Sequence, residues 1–239
     1  MTDEMQDYAE VKVGELQQLE LDGFVLKKGS PSCGMERVRV YGRGGMPTKN
    51  GVGVFARVLM RRWPNLPVEE EGRLNDPLLR ERFIAHVFCR HRWRSMVRKG
   101  PTRRRLVDFH TAHKMQLRSH NEAAYRRLGR IVASAGSVPD DDLFLSYENE
   151  LHTALSSRAS SKRHTNVLYH ALGYLKKVLE DFEKQELVHL IEDYRKGLVP
   201  LIVPITLFRH HVAKHEIPYL EGQLYLEPHP RELMLRNRV

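Results

Sequence analysis

Cysteine is scarce: the 239 residues hold two, Cys33 and Cys89. Two thiols make no disulfide framework, and alone they ligate neither a zinc ion nor an iron–sulfur cluster. Long apolar runs are lacking as well. The longest, Leu198–Phe208, is too short to span a bilayer and is interrupted by Pro200 and Pro204. Thr2, Asp3 and Glu4 at the start leave no apolar signal core. These absences predict a cytoplasmic protein with no membrane partner. Internal repeats and low-complexity tracts are missing too. Gly42-Arg43-Gly44-Gly45 lacks the lysine and the following helix of a phosphate-binding loop, which argues against a nucleoside-triphosphate site.

What is present reads as an ordinary globular chain. The length suits one large domain or two small ones and suffices to bury a core. Hydrophobic residues make up 41% and charged residues 29%, which excludes a disordered tail. Lys and Arg number 39 against 30 Asp and Glu, a formal charge of +9. Residues 1–100 hold 18 of the bases and 13 of the acids, so neither half dominates the excess. Such a balance favours a polyanionic partner.

Helical spacing of Tyr8, Val11, Leu16 and Leu19 among acids predicts a surface helix over residues 1–20. Short strands are expected at 23–28 and 38–41. A helix is expected over 52–62, a loop over 66–75, and a helix from Pro77 to about Met96 capped by Asn75 or Asp76. Helices then fill 103–135, 140–157, 161–182, 184–196 and 199–215, with a short terminal helix after Pro228 and Pro230. The expectation is an α+β chain: a partial, Rossmann-like α/β piece over 1–95, then an all-helical domain over 96–239. Two or three strands are few for a doubly wound sheet and leave an edge to cover.

Three features bear chemistry. Ser30-Pro31-Ser32-Cys33-Gly34 directly follows a strand, a place where a thiol and two hydroxyls can meet a ligand; the competing reading is a tight turn of small residues. Arg90–Arg105 holds eight bases and no acid in sixteen residues, with Trp93 inside it. Arg90, Arg92, Arg94, Arg103, Arg104 and Arg105 around an aromatic match a nucleic-acid footprint, in which Trp93 either stacks on a base or packs in the core. His110 and His113 lie one turn apart with Lys114 beside them, and His164, His170, His210 and His211 follow on other helices. They suit a metal site, a pocket contacting phosphate or base, or a hydrogen-bonded core. Cys89, inside a predicted helix, reads as a small core hydrophobe.

The residues also carry a resemblance. LKKGSPSCGMERVRVY, GVGVFAR and LPVEEEGRLNDPLLRERFI resemble the C-terminal part of the thiouracil desulfurase family. FHTAHKMQLRSHN, RHTNVLYHALGYLKK, YRKGLVPLIVPITLFRHH and YLEGQLYLEPHP resemble the YbgA-like domain that often follows it. The fusion is similar to bacterial desulfidases that remove sulfur from 4-thiouridine in tRNA. In that family three cysteines hold a [4Fe-4S] cluster whose open iron takes the sulfur, and water replaces it. The resemblance implies that Cys33 is the third cluster ligand and that Ser30 takes part in catalysis. It places the other two ligands and a catalytic acid in an N-terminal segment for which this sequence has no counterpart. The expectation is therefore a desulfidase fragment, lacking roughly 70–90 residues of a complete sheet, that carries no cluster by itself. The alternative is a non-catalytic RNA-binding helical module.

Overall fold

The structure is a computed structural model and describes residues 2–42 and 46–238. Residues 43–45 of the glycine-rich loop singled out above lie outside the described residues. The chain divides into two compact units, Met1–Phe83 and Ile84–Val239. The division falls within the continuous helix Pro77–Arg98.

The first unit opens with α1 (Thr2–Leu16), which packs on α2 (Val54–Arg62). Ala9 and Val13 of α1 join Leu26, Ala56, Val58, Leu59 and Leu66 in one apolar core, while Tyr8, Val11 and Leu19 stay exposed. Strand β1 (Phe24–Leu26) pairs in parallel with β4 (Val68–Glu70), Phe24 opposite Val68. Strands β2 (Val38–Tyr41) and β3 (Pro47–Gly51) form a separate antiparallel hairpin. The connection from β1 to β4 runs through α2, so this is one βαβ unit of the Rossmann kind, with two parallel strands among the described residues. Residues 66–75, expected as loop, supply β4 and a 3-10 turn at Arg73–Asn75. Helix α3 (Pro77–Arg98) starts where Asp76 Oδ1 accepts the Leu78 and Leu79 amides at 2.8 and 3.2 Å.

The second unit is helical: α4 (Arg103–His120), α5 (Glu122–Ala133), α6 (Asp140–Ser156), α7 (Ser161–Leu175), α8 (Asp181–Lys196), α9 (Ile202–His215) and the short α10 (Pro218–Glu221). The helix expected over 103–135 is two helices. Asn121 leaves the helical region at φ −155° and ψ 102°, ends α4, and caps α5 by accepting the Ala124 amide at 3.1 Å. Thr102 caps α4 through the Arg105 amide at 3.2 Å, and Gly197 closes α8 at φ +76°, a conformation that favours glycine. After α10 the chain forms 3-10 turns at Arg231–Leu233 and Leu235–Arg238, not an α-helix. The core has two parts. One gathers Trp93 and Cys89 with α4, α5 and α6; the other gathers α7, α8, α9 and Tyr225. Among the described residues no helix is long and apolar enough to cross a membrane.

Candidate functional site

The Ser30–Gly34 segment is a built turn, not a slack loop. Ser30 Oγ accepts the amides of Ser32 and Cys33, both at 3.2 Å. Three main-chain bonds then fasten the turn to the start of α2: Gly53 N–H to Gly34 O at 2.8 Å, Val54 N–H to Pro31 O at 3.1 Å, and Ala56 N–H to Ser32 O at 3.2 Å. These amides belong to a helix start, where no intrahelical acceptor exists. The approach is close enough to demand glycine. A Cβ on Gly53 would lie 2.3 Å from Ser32 O, and one on Gly34 would lie 2.4 Å from a Val38 methyl.

Carboxylates at the end of β4 and just after it bind the main chain flanking the turn. Glu70 Oε1 accepts the Met35 amide at 2.9 Å and Glu71 Oε2 accepts the Lys28 amide at 2.7 Å. Glu69 is fully buried and ion-paired with Arg73 and Arg82, each at 2.7 Å. A buried carboxylate with two guanidinium partners is compensated, and removing both partners would strand its charge. Sequence reasoning missed these three residues. The available signal was a run of three acids directly after Val68 in a basic protein.

Cys33 ends up half-buried, its Sγ 3.6 Å from Ser32 Oγ. Cys89 is at 0% exposure in the second unit, and burial pushes its thiol up to about 12 despite the neighbouring Arg92. The described donors do not fit a [4Fe-4S] cluster: such a cluster with one open iron needs three protein ligands, and the first unit offers one thiolate.

The basic run is dispersed by the fold. Trp93 is 2% exposed and stacks on Tyr147 at 5.1 Å between ring centroids, with Phe109 edge-on at 5.3 Å. It is core, so no base reaches it; aromatic size outweighed the charged neighbourhood. Arg90 pairs with Glu148 at 3.4 Å, Arg92 donates to the Pro228 carbonyl, and Arg94 is half-buried with contacts inside the protein. Arg103, Arg104 and Arg105 are exposed. Arg103 pairs with Asp140 at 2.8 Å, and Arg105 donates to the carbonyls of Lys99 and Gly100 at the end of α3. Arg104 has no partner among the described residues.

The expected RNA-contacting histidines are also internal. His110 Nδ1 meets Tyr147 Oη at 3.0 Å and His113 Nδ1 meets the Phe109 carbonyl at 2.8 Å. Burial lowers His110 to about 4, with Lys114 adding to the shift, and His113 to about 3. Both are buried groups with internal hydrogen-bond partners; Lys114 is half-buried on the same helix. His164 pairs with Tyr225 and His170 packs against Tyr174, so the histidine-bearing helices serve separate surroundings.

Comparison with known proteins fits this layout. The family model described as 2-thiouracil desulfurase matches residues 1–71, and the one described as protein of unknown function (DUF1722) matches residues 114–230. A protein of Escherichia coli (strain K12), described as uncharacterized protein YbgA, is 34% identical over 155 residues, which take in 64% of this chain and 92% of that protein. No solved structure matches. The matched desulfurase segment contains the whole Ser30–Gly34 turn together with Glu69, Glu70 and Glu71, and the second match lies wholly within the helical unit. The chain belongs to the YbgA-like, DUF1722 family, with a 2-thiouracil desulfurase segment fused ahead of that domain.

Proposed function

We propose that the chain handles sulfur-bearing uracil in tRNA, binding the thiolated base at the Ser30–Gly34 turn and the RNA backbone through the helical unit. The observation that supports this most is the turn itself. Two glycines without room for a Cβ and three main-chain bonds hold the turn that carries the half-buried Cys33, with Glu70 on the adjoining Met35 amide, all within the segment that matches the desulfurase model. The thiol and the neighbouring hydroxyl offer S–H and O–H donors to the thiocarbonyl sulfur of such a base. Ser30 is a positioning residue in this arrangement, since its oxygen is committed to the turn amides. With one cysteine available in the first unit, sulfur transfer by an iron–sulfur cluster is not assigned to the described residues. That single cysteine in the first unit favours the second reading, an RNA-binding helical module without sulfur chemistry.

One binding experiment separates the two. Wild type, Cys33→Ala and Arg104→Ala are titrated with tRNA bearing 4-thiouridine and with the same tRNA lacking the sulfur, at several salt concentrations. Cys33→Ala is expected to erase the preference for thiolated tRNA and leave the salt slope intact. Arg104→Ala is expected to keep the preference and flatten the slope by about 0.7–0.9, the order of one lost phosphate contact. A preference that survives Cys33→Ala supports the RNA-binding module instead, and an unchanged slope removes Arg104 from the interface.

A further inference from the structure

We propose that Glu183, His211 and His215 form a binding site for one divalent transition-metal ion of the zinc class. His211 and His215 lie one turn apart on α9, their rings near parallel with centroids 6.1 Å apart. Glu183 comes from the first turn of α8. One ligand atom from each of the three residues lies within 4.8 Å of the other two. His211 Nδ1 is 3.9 Å from Glu183 Oε1, and His215 Nε2 is 4.0 Å from Glu183 Oε2. Donors bound at about 2.0–2.1 Å from one ion are at most roughly 4.2 Å apart, so small side-chain rotations close the set.

The second observation is unmet polar demand. His211 is 3% exposed, and both its ring nitrogens are buried with no hydrogen-bond partner; His215 Nε2 is buried and unpartnered as well. Orphaned imidazole nitrogens carry a desolvation cost that a bound cation removes. Glu183 is already fixed. Its Oε2 accepts the Glu180 amide at 3.0 Å in a capping box, and its Oε1 takes Lys214 Nζ at 2.6 Å. Lys214 is half exposed and can swing to solvent, which frees that oxygen for the ion. Two histidines at this helical spacing plus one carboxylate are a common set for zinc and for other first-row ions, with remaining positions left to water.

The test uses the full chain freed of metal by chelation. Zn²⁺ is titrated calorimetrically, and Co²⁺ is used as a spectroscopic probe of a low-symmetry nitrogen and oxygen site. One ion per chain is expected. His215→Ala, at a position 19% exposed where folding should tolerate the change, is expected to weaken binding at least tenfold and to abolish the metal-dependent rise in melting temperature. His211→Ala should do the same. His210→Ala, exposed on the same helix, should leave affinity unchanged. Cys33→Ala reports any ion held at the turn and should leave this stoichiometry intact. Wild-type affinity in folded His215→Ala, or an equal loss in His210→Ala, overturns the site.

Discussion

Gly53→Ala is expected to cost about 1–3 kcal/mol of stability and, on the function proposed for the turn, the discrimination of thiolated uracil. The added methyl would sit 2.3 Å from Ser32 O, 2.4 Å from Ser32 C and 2.8 Å from the Cys33 amide nitrogen. All three are main-chain atoms, so no rotamer change gives relief. Either the turn lifts away from α2 or the helix start shifts, and the bonds from Gly53, Val54 and Ala56 to the turn go together. The cause is proximity rather than conformational freedom, since Gly53 has an ordinary φ of −59°. Gly14→Ala is the control. Its Cβ meets nothing within 4 Å inside α1, so it should be neutral or stabilise by up to about 1 kcal/mol. Denaturant unfolding of both variants, with thiolated-tRNA binding measured alongside, checks the pair.

Trp93→Ala should destabilise the helical unit by about 3–5 kcal/mol, as large-to-small changes of a buried tryptophan do. The ring fills the space between Phe109, Phe144 and Tyr147, with Leu106 and Leu143 in the same cluster. Its indole Nε1 finds no acceptor, so the contribution is packing rather than hydrogen bonding. A base-stacking role predicts the opposite pattern: weaker RNA binding with unfolding unchanged. Chemical denaturation followed by circular dichroism, with RNA affinity measured under native conditions, distinguishes the two outcomes.

Trp93 also shows where sequence legibility ends. The basic run around it was visible, but the helix turns Trp93 inward and its arginines onto Glu148 and the Pro228 carbonyl, contacts made across long stretches of chain. The start of α3 behind Asp76 was legible because the cap is local. The break at Asn121 was not, because one residue serves both ends within an unbroken periodic pattern. Strand β4 was missed because three acids look solvated; only the fold brings Arg73, Arg82 and the turn amides to them. The Ser30–Gly34 turn was legible as a motif, while its fastening to Gly53 and Glu70 was not. Glu183 and His215 escaped notice because their partnership depends on how α8 packs on α9.

The most direct test of a thiolated base at Cys33 uses the photoreactivity of the thiocarbonyl. Near-ultraviolet irradiation of the protein with tRNA bearing 4-thiouridine links that base to whatever side chain it touches, and mass spectrometry of the tryptic digest locates the link. The expected product is the peptide spanning residues 29–37, which contains Ser30, Ser32 and Cys33, with the link lost in Cys33→Ala and in Gly53→Ala. Cross-links confined to peptides of the helical unit, with 29–37 unmodified, would contradict the account.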